Sequence, residues 1–226
     1  MASGEIVIDH YRWLRTSLAL VLLSATLAMV AHAEGQAPVP SGAPEAVVEE
    51  FHVALLGIMH EAEELGFEGR CDRLAEAMDA LFDTPFMAQK SVGRYWKTAT
   101  PEERERLVGT FKRFSVSNYA GNFDSFSGET FEMQDVVEST HGTKLVRTRL
   151  LAGDGEVVQL NYRLRPVDGQ WKIIDVYLNG TVSELALRRS EYSSLIKREG
   201  FDSLLVALDE KIAVLATAGA PADQSP

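Results

Sequence analysis

Apolar residues recur at intervals of three and four from Pro44 onward. Val47, Phe51, Ala54, Leu55, Ile58, Ala62 and Leu65 form one buried face of a helix. Pro44 suits the first helical turn, and Gly66 supplies a stop. The pattern predicts a second helix over 70–82. A third opens at Thr84-Pro85, with Thr84 as N-cap and Pro85 at the first helical position. The run Thr100-Pro101-Glu102-Glu103 reads as a capping box, in which the Thr hydroxyl and the Glu103 carboxylate each take a backbone N–H. It starts a long helix to about residue 122.

The period then changes from helical to alternating. Four β-rich runs lie near 129–138, 143–152, 156–166 and 170–178. They are separated by His141-Gly142, Gly153-Asp154-Gly155 and Asp168-Gly169. Loops this short force antiparallel neighbours, because a parallel crossover needs a dozen residues or more. In the second run Val146, Thr148 and Leu150 share one face and Arg147 and Arg149 the other. In the third, Val158, Leu160, Tyr162 and Leu164 alternate with Gln159, Asn161, Arg163 and Arg165. One sheet face is therefore dry and the other wetter. After Asn179-Gly180 the helical period returns, with Thr181 and Glu184 as a second capping box. One helix runs to about Lys197 and stops at Gly200, and a last helix carries Leu204, Leu205, Leu208, Ile212 and Leu215. Helices, a four-stranded meander, then helices predict an α+β domain over 44–218, with helices on one sheet face.

The ends read differently. Arg12 and Arg15 precede an apolar run, Leu18–Val30, and then Ala31-His32-Ala33, an A-x-A cleavage pattern. This is the layout of a secretory signal peptide over 1–33. The run spans about 20 Å as a helix, short of a bilayer core of about 30 Å. Residues 34–43 read as a flexible lead-in and 219–226 as a disordered tail. The 226 residues carry 22 Lys and Arg against 33 Asp and Glu, a net charge of −11. The leader holds two residues of each sign, so its loss leaves that charge unchanged. Such a balance argues against general nucleic-acid binding, which needs a basic face, but leaves room for a local basic patch.

Chemical motifs are sparse. Cys71 is the one cysteine, which excludes an internal disulfide and a Cys-cluster zinc site. His52 and His60 lack the H-E-x-x-H setting, and neither phosphate-loop pattern nor G-x-S-x-G occurs. The strongest enzymatic reading is an acid/base pair of Asp135 and Asp175 in a cone-shaped fold, as in a small hydrolase or isomerase. No metal or cofactor is expected. Aromatic residues are dense: Phe111, Phe114, Tyr119, Phe123, Phe126 and Phe131 lie close together in sequence.

Several stretches resemble the MlaC family of lipid-binding proteins, also called the toluene-tolerance family. They are Val92-Gly93-Arg94-Tyr95-Trp96, Pro101 to Phe111 with Tyr119-Ala120, Trp171-Lys172-Ile173-Ile174-Asp175-Val176, and Asn179 to Ser183. Arg189, Tyr192 and Gly200 continue the pattern, so the resemblance covers about 45–216. Tyr119 to Asp124, Phe126 to Phe131 and Ser183 to Ala186 with Arg188-Arg189-Ser190 resemble the hopanoid-associated HpnM branch.

The resemblance implies a non-enzymatic periplasmic carrier that shuttles a lipid, hopanoid or phospholipid, between the inner and outer membranes of a Gram-negative bacterium. It also implies an inner-membrane transporter and an outer-membrane acceptor as partners, and an apolar pocket between sheet and helices. The dry sheet face then nominates Val146, Leu150, Leu160, Tyr162, Trp171 and Ile173 as pocket walls. The facing helices add Phe86, Trp96, Phe111, Phe114 and Tyr119. A competing reading is a periplasmic adaptor with a filled core, which holds transport components together without carrying lipid.

Overall fold

The computed structural model describes residues 42–219. The expected signal peptide, most of the lead-in and the tail beyond Gly219 lie outside the described residues. The helices are α1 (Pro44–His60), α2 (Ala62–Leu81), α3 (Thr84–Val92), α4 (Pro101–Asn122), α5 (Glu184–Glu199) and α6 (Phe201–Ala218). The strands are β1 (Thr130–Glu138), β2 (Lys144–Leu151), β3 (Val157–Val167), β4 (Gln170–Leu178) and β5 (Val182–Ser183). They form one antiparallel sheet in the order β1-β2-β3-β4-β5.

The sheet thus has five strands where the alternation predicts four. Asn179 and Gly180 both take positive φ (50° and 76°), and the chain doubles back so that Leu178 pairs with Val182. Asn-Gly is a strong hairpin signal for that reason. The fifth strand is too short to show an alternating pattern of its own. Asp168 and Gly169, at φ 49° and 77°, make the two-residue turn between β3 and β4. In β4 the register slips opposite Arg163 and Leu164, leaving Ile174 as an extra, bulged residue. Strand parity therefore changes at Ile174: Ile173 faces Leu164, yet Val176, three residues on, faces Tyr162.

Helix starts depend on which side chain reaches the free amides. The box at Thr100 forms as expected: Glu103 N donates to Thr100 Oγ1 (3.1 Å) and Thr100 N to Glu103 Oε2 (2.7 Å). The other two caps move. Asp83, not Thr84, caps α3 by accepting from Phe86 N (3.1 Å), and Thr84 is buried inside the first turn. Ser183, not Thr181, caps α5 by accepting from Ala186 N (2.9 Å). Gly66 breaks helical geometry as expected, at φ 57° and ψ −173°, but the first helix has already ended at His60. Buried Arg70 stitches this joint, donating from Nη1 to Ala62 O and from Nε to Ala120 O of α4 (both 3.0 Å).

The core lies between the dry sheet face and the helices. Val136, Val146, Tyr162 and Val176 align in one row across four strands. Val48, Phe51, Leu55 and Ile58 of α1 join them in one buried cluster with Leu74 and Met78 of α2 and Leu107 and Phe111 of α4. α6 packs on α4. The joint between α2 and α3 is tied to β4, where Phe82 bridges Ile173 and Asp83 N donates to Ile173 O (2.9 Å).

Candidate functional site: an apolar seam beside a basic cleft

Ten of the eleven nominated wall residues come together. Phe111, Val146, Leu160, Tyr162, Trp171 and Ile173 are buried in the cluster, and Trp96, Phe114, Tyr119 and Leu150 pack against it half-buried. Phe86 does not join them. It lies outside the core between two cations, with Arg165 4.3 Å and Lys90 5.0 Å from its ring centre. Its helix buries Met87 and Ala88 instead, and this places Phe86 on the rim.

A seam of about 20 Å³ reaches this cluster, bounded by Met78, Phe82, Met87, Phe111, Tyr119, Val176 and Leu185. Only Phe111 and Tyr119 of the nominated residues border it. Ser115, Glu184 and Arg188 form its polar rim: Arg188 donates to Ser115 Oγ (2.8 Å), pairs with Glu184 (3.4 Å) and sits 5.2 Å from both the Phe111 and Phe114 rings. Deeper in, His52 Nε2 lies 3.1 Å from the Tyr162 hydroxyl oxygen, and the imidazole stacks on Phe131 at 3.9 Å. Burial pulls the His52 pKa down from 6.5 to about 4 and pushes the Tyr162 phenol up. Both are neutral near pH 7, as an apolar interior requires.

On the opposite side of β4, an open cleft of about 690 Å³ lies between the wet sheet face and the helices α3 and α5. Phe86, Lys90, Arg163, Arg165, Tyr177 and Arg189 border it, and Leu185 borders both cleft and seam. The alternation correctly sets Arg163 and Arg165 on the wetter face. That two helices wall this face into a cleft is tertiary information that no strand pattern carries.

Asp175, at the cleft base, is 6% exposed. Burial pushes its carboxyl pKa up, and three hydrogen bonds oppose that shift. Ser183 Oγ donates to it at 2.6 Å, Val176 N at 2.9 Å and Leu185 N at 3.1 Å. The carboxylate fastens the start of α5 to β4. Asp135 sits on β1, three strands away, exposed and paired with Arg147. The two aspartates therefore form no acid/base pair. Among the described residues, no group of three or more His, Cys, Asp or Glu could hold a metal ion. No described helix is long and apolar enough to cross a membrane.

The family profile described as MlaC protein matches residues 49–210, from within α1 to within α6. The chain belongs to the MlaC family. Toluene tolerance protein ttg2D of Pseudomonas putida is 26% identical over 133 residues, 59% of this chain and 61% of that protein. The intermembrane phospholipid transport system binding protein MlaC of Haemophilus influenzae is 22% identical over 129 residues, 55% of this chain and 60% of its own length. The matched region thus spans about three fifths of each of these curated relatives. In three dimensions the chain resembles the phospholipid-binding protein of Ralstonia solanacearum, solved in complex with a phospholipid. The TM-score is 0.67 at 24% identity, over 77% of this chain and 99% of that one. The α+β fold is therefore that of an MlaC-family protein.

Proposed function

We propose that this protein is a non-enzymatic periplasmic carrier that moves a membrane lipid, phospholipid or hopanoid, between the inner and outer membranes of a Gram-negative bacterium. In this reading, residues 1–33 direct export. An inner-membrane transporter and an outer-membrane acceptor hand the cargo on and receive it. The family membership supports the class, as do the phospholipid transport system binding protein of Haemophilus and the phospholipid-bound protein of Ralstonia. The physical need is plain: exposing an acyl chain costs ~0.8 kcal/mol per CH₂, or about 13 kcal/mol for sixteen carbons. Free passage through water is correspondingly rare.

The observation that carries the reading is the apolar seam and the wall at Leu185 that it shares with the cleft. An acyl chain needs far more than the seam's 20 Å³, so loading requires its walls to part. Two of those walls are Met78 and Met87, unbranched side chains that re-pack around differing shapes. A seam this small also suits an adaptor without cargo, so that reading stands second. A transfer assay separates the two. Donor vesicles carrying a fluorescent phospholipid are mixed with unlabelled acceptor vesicles and the purified protein. A carrier speeds transfer in proportion to its concentration, and Leu185→Trp, which adds bulk at the wall shared by seam and cleft, slows it. Transfer no faster than the spontaneous rate would refute the carrier.

A further inference from the structure

Cations gather in the cleft beside the seam although the chain is strongly acidic. Lys90, Arg163, Arg165 and Arg189 border it, with His141 at one end, and the one carboxylate in its lining is Asp175. That carboxylate is already occupied by Ser183 and two backbone amides. Arg165 pairs with Asp83 just outside the cleft. The other three have no carboxylate within ion-pair distance among the described residues.

Arg163 and Arg189 are nonetheless held in place. The Arg163 guanidinium donates from Nε to Thr143 Oγ1 (2.9 Å) and from Nη2 to Thr140 Oγ1 (2.6 Å). Hydroxyls orient its fork without neutralising it. Arg189 lies against Gly93, where a Cβ would stand 2.9 Å from its Nε, and Gly93 itself has φ +56°. The helix of Arg189 begins at the cleft, where Ser183, Leu185 and Ala186 line the wall, so its positive dipole end adds to the same field. Positioned, un-neutralised guanidinium groups in a concave site are suited to a phosphate, which they bind through paired N–H donors.

We infer that this cleft seats the phosphate of a glycerophospholipid headgroup, with the acyl chain passing over Leu185 into the seam. Leu185 is the shared wall, and a volume of about 690 Å³ lies within the usual range of small-molecule sites. The inference rests on the carrier reading and narrows it, since a hopanoid without phosphate gains nothing from these cations.

The test offers delipidated full-length protein vesicles holding equal amounts of dioleoylphosphatidylglycerol and dioleoylglycerol, which share acyl chains and differ in the phosphate. The protein is re-isolated and its lipids are quantified by mass spectrometry. The phosphate lipid should be enriched at least tenfold. The double variant Arg163→Gln/Arg189→Gln should bring the ratio close to one while still binding dioleoylglycerol, with circular dichroism confirming the fold. Lys90→Gln, at an exposed position, should lower the ratio in part and stands in if the double variant fails to fold. Equal uptake of the two lipids by the unmodified protein would overturn the inference alone, even if inorganic phosphate protects the protein against heat; the cleft would then serve a soluble anion. An unchanged ratio in the variants, with only their attachment to anionic vesicles weakened, would also overturn it, in favour of a membrane-contact surface. Recovery of neither lipid would refute the carrier reading and this inference together.

Discussion

His52 makes the domain sensitive to mild acid. It is 5% exposed, lies against the Phe131 ring and contacts the Tyr162 hydroxyl, with no carboxylate among the causes of its shift. An unfolded imidazole takes up a proton near pH 6.5, whereas the folded one resists it down to about 4. Below pH 6.5 the unfolded chain therefore binds the extra proton, and stability falls with pH until about 4. Between pH 7 and pH 5 about 1.5 pH units of that window are crossed, at ~1.4 kcal/mol each, for a loss of about 2 kcal/mol. Urea unfolding at the two pH values measures it. His52→Gln keeps a hydrogen-bonding group beside Tyr162 and removes the titration. The loss from pH 7 to pH 5 should be smaller in the variant by about 2 kcal/mol, because all other groups titrate alike in both. Equal losses in variant and parent would refute the assignment of a buried, neutral His52.

Three further outcomes follow from the same geometry. Asp175→Ala leaves the Leu185 amide and Ser183 hydroxyl without their acceptor, and should cost about 1–3 kcal/mol in chemical unfolding. Thr100→Ala removes the capping box at the start of α4 and should lower stability by about 1 kcal/mol. Cys71 is half-buried and burial pushes its thiol pKa up, so iodoacetamide at pH 7.5 should label it more slowly than free cysteine, and labelling at the free-cysteine rate would contradict the burial.

Element type was largely legible in the sequence because burial imposes a period. The helical face from Val47 to Ile58 and the alternation from Val158 to Leu164 each have one dry side, and each is where the pattern set it. The caps were less legible. Asp83 and Ser183 win over Thr84 and Thr181 because Asp83 also holds Arg165, and Ser183 also donates to Asp175. Those partners lie on β3 and β4, and Arg165 is 82 residues from Asp83 in sequence.

The site was legible only in part. Hydrophobicity identifies Val146 and Tyr162 as buried, but plain core and pocket wall share that property. Val146 is fully buried, so a bulky replacement there would disrupt packing before it tested any cargo site. The basic cleft escaped the sequence reading for another reason. Lys90, Arg163 and Arg189 belong to a helix, a strand and a second helix, and each alone reads as an ordinary solvated cation.

The proposed carriage of a lipid can be read on the purified protein itself. Its most direct measurement is organic extraction of the protein purified without detergent from a Gram-negative host, followed by mass spectrometry against a protein concentration standard. The carrier account predicts close to one lipid per chain, with phosphate-bearing species predominant. Protein that is well folded, free of extractable lipid and unable to acquire any from vesicles would contradict it.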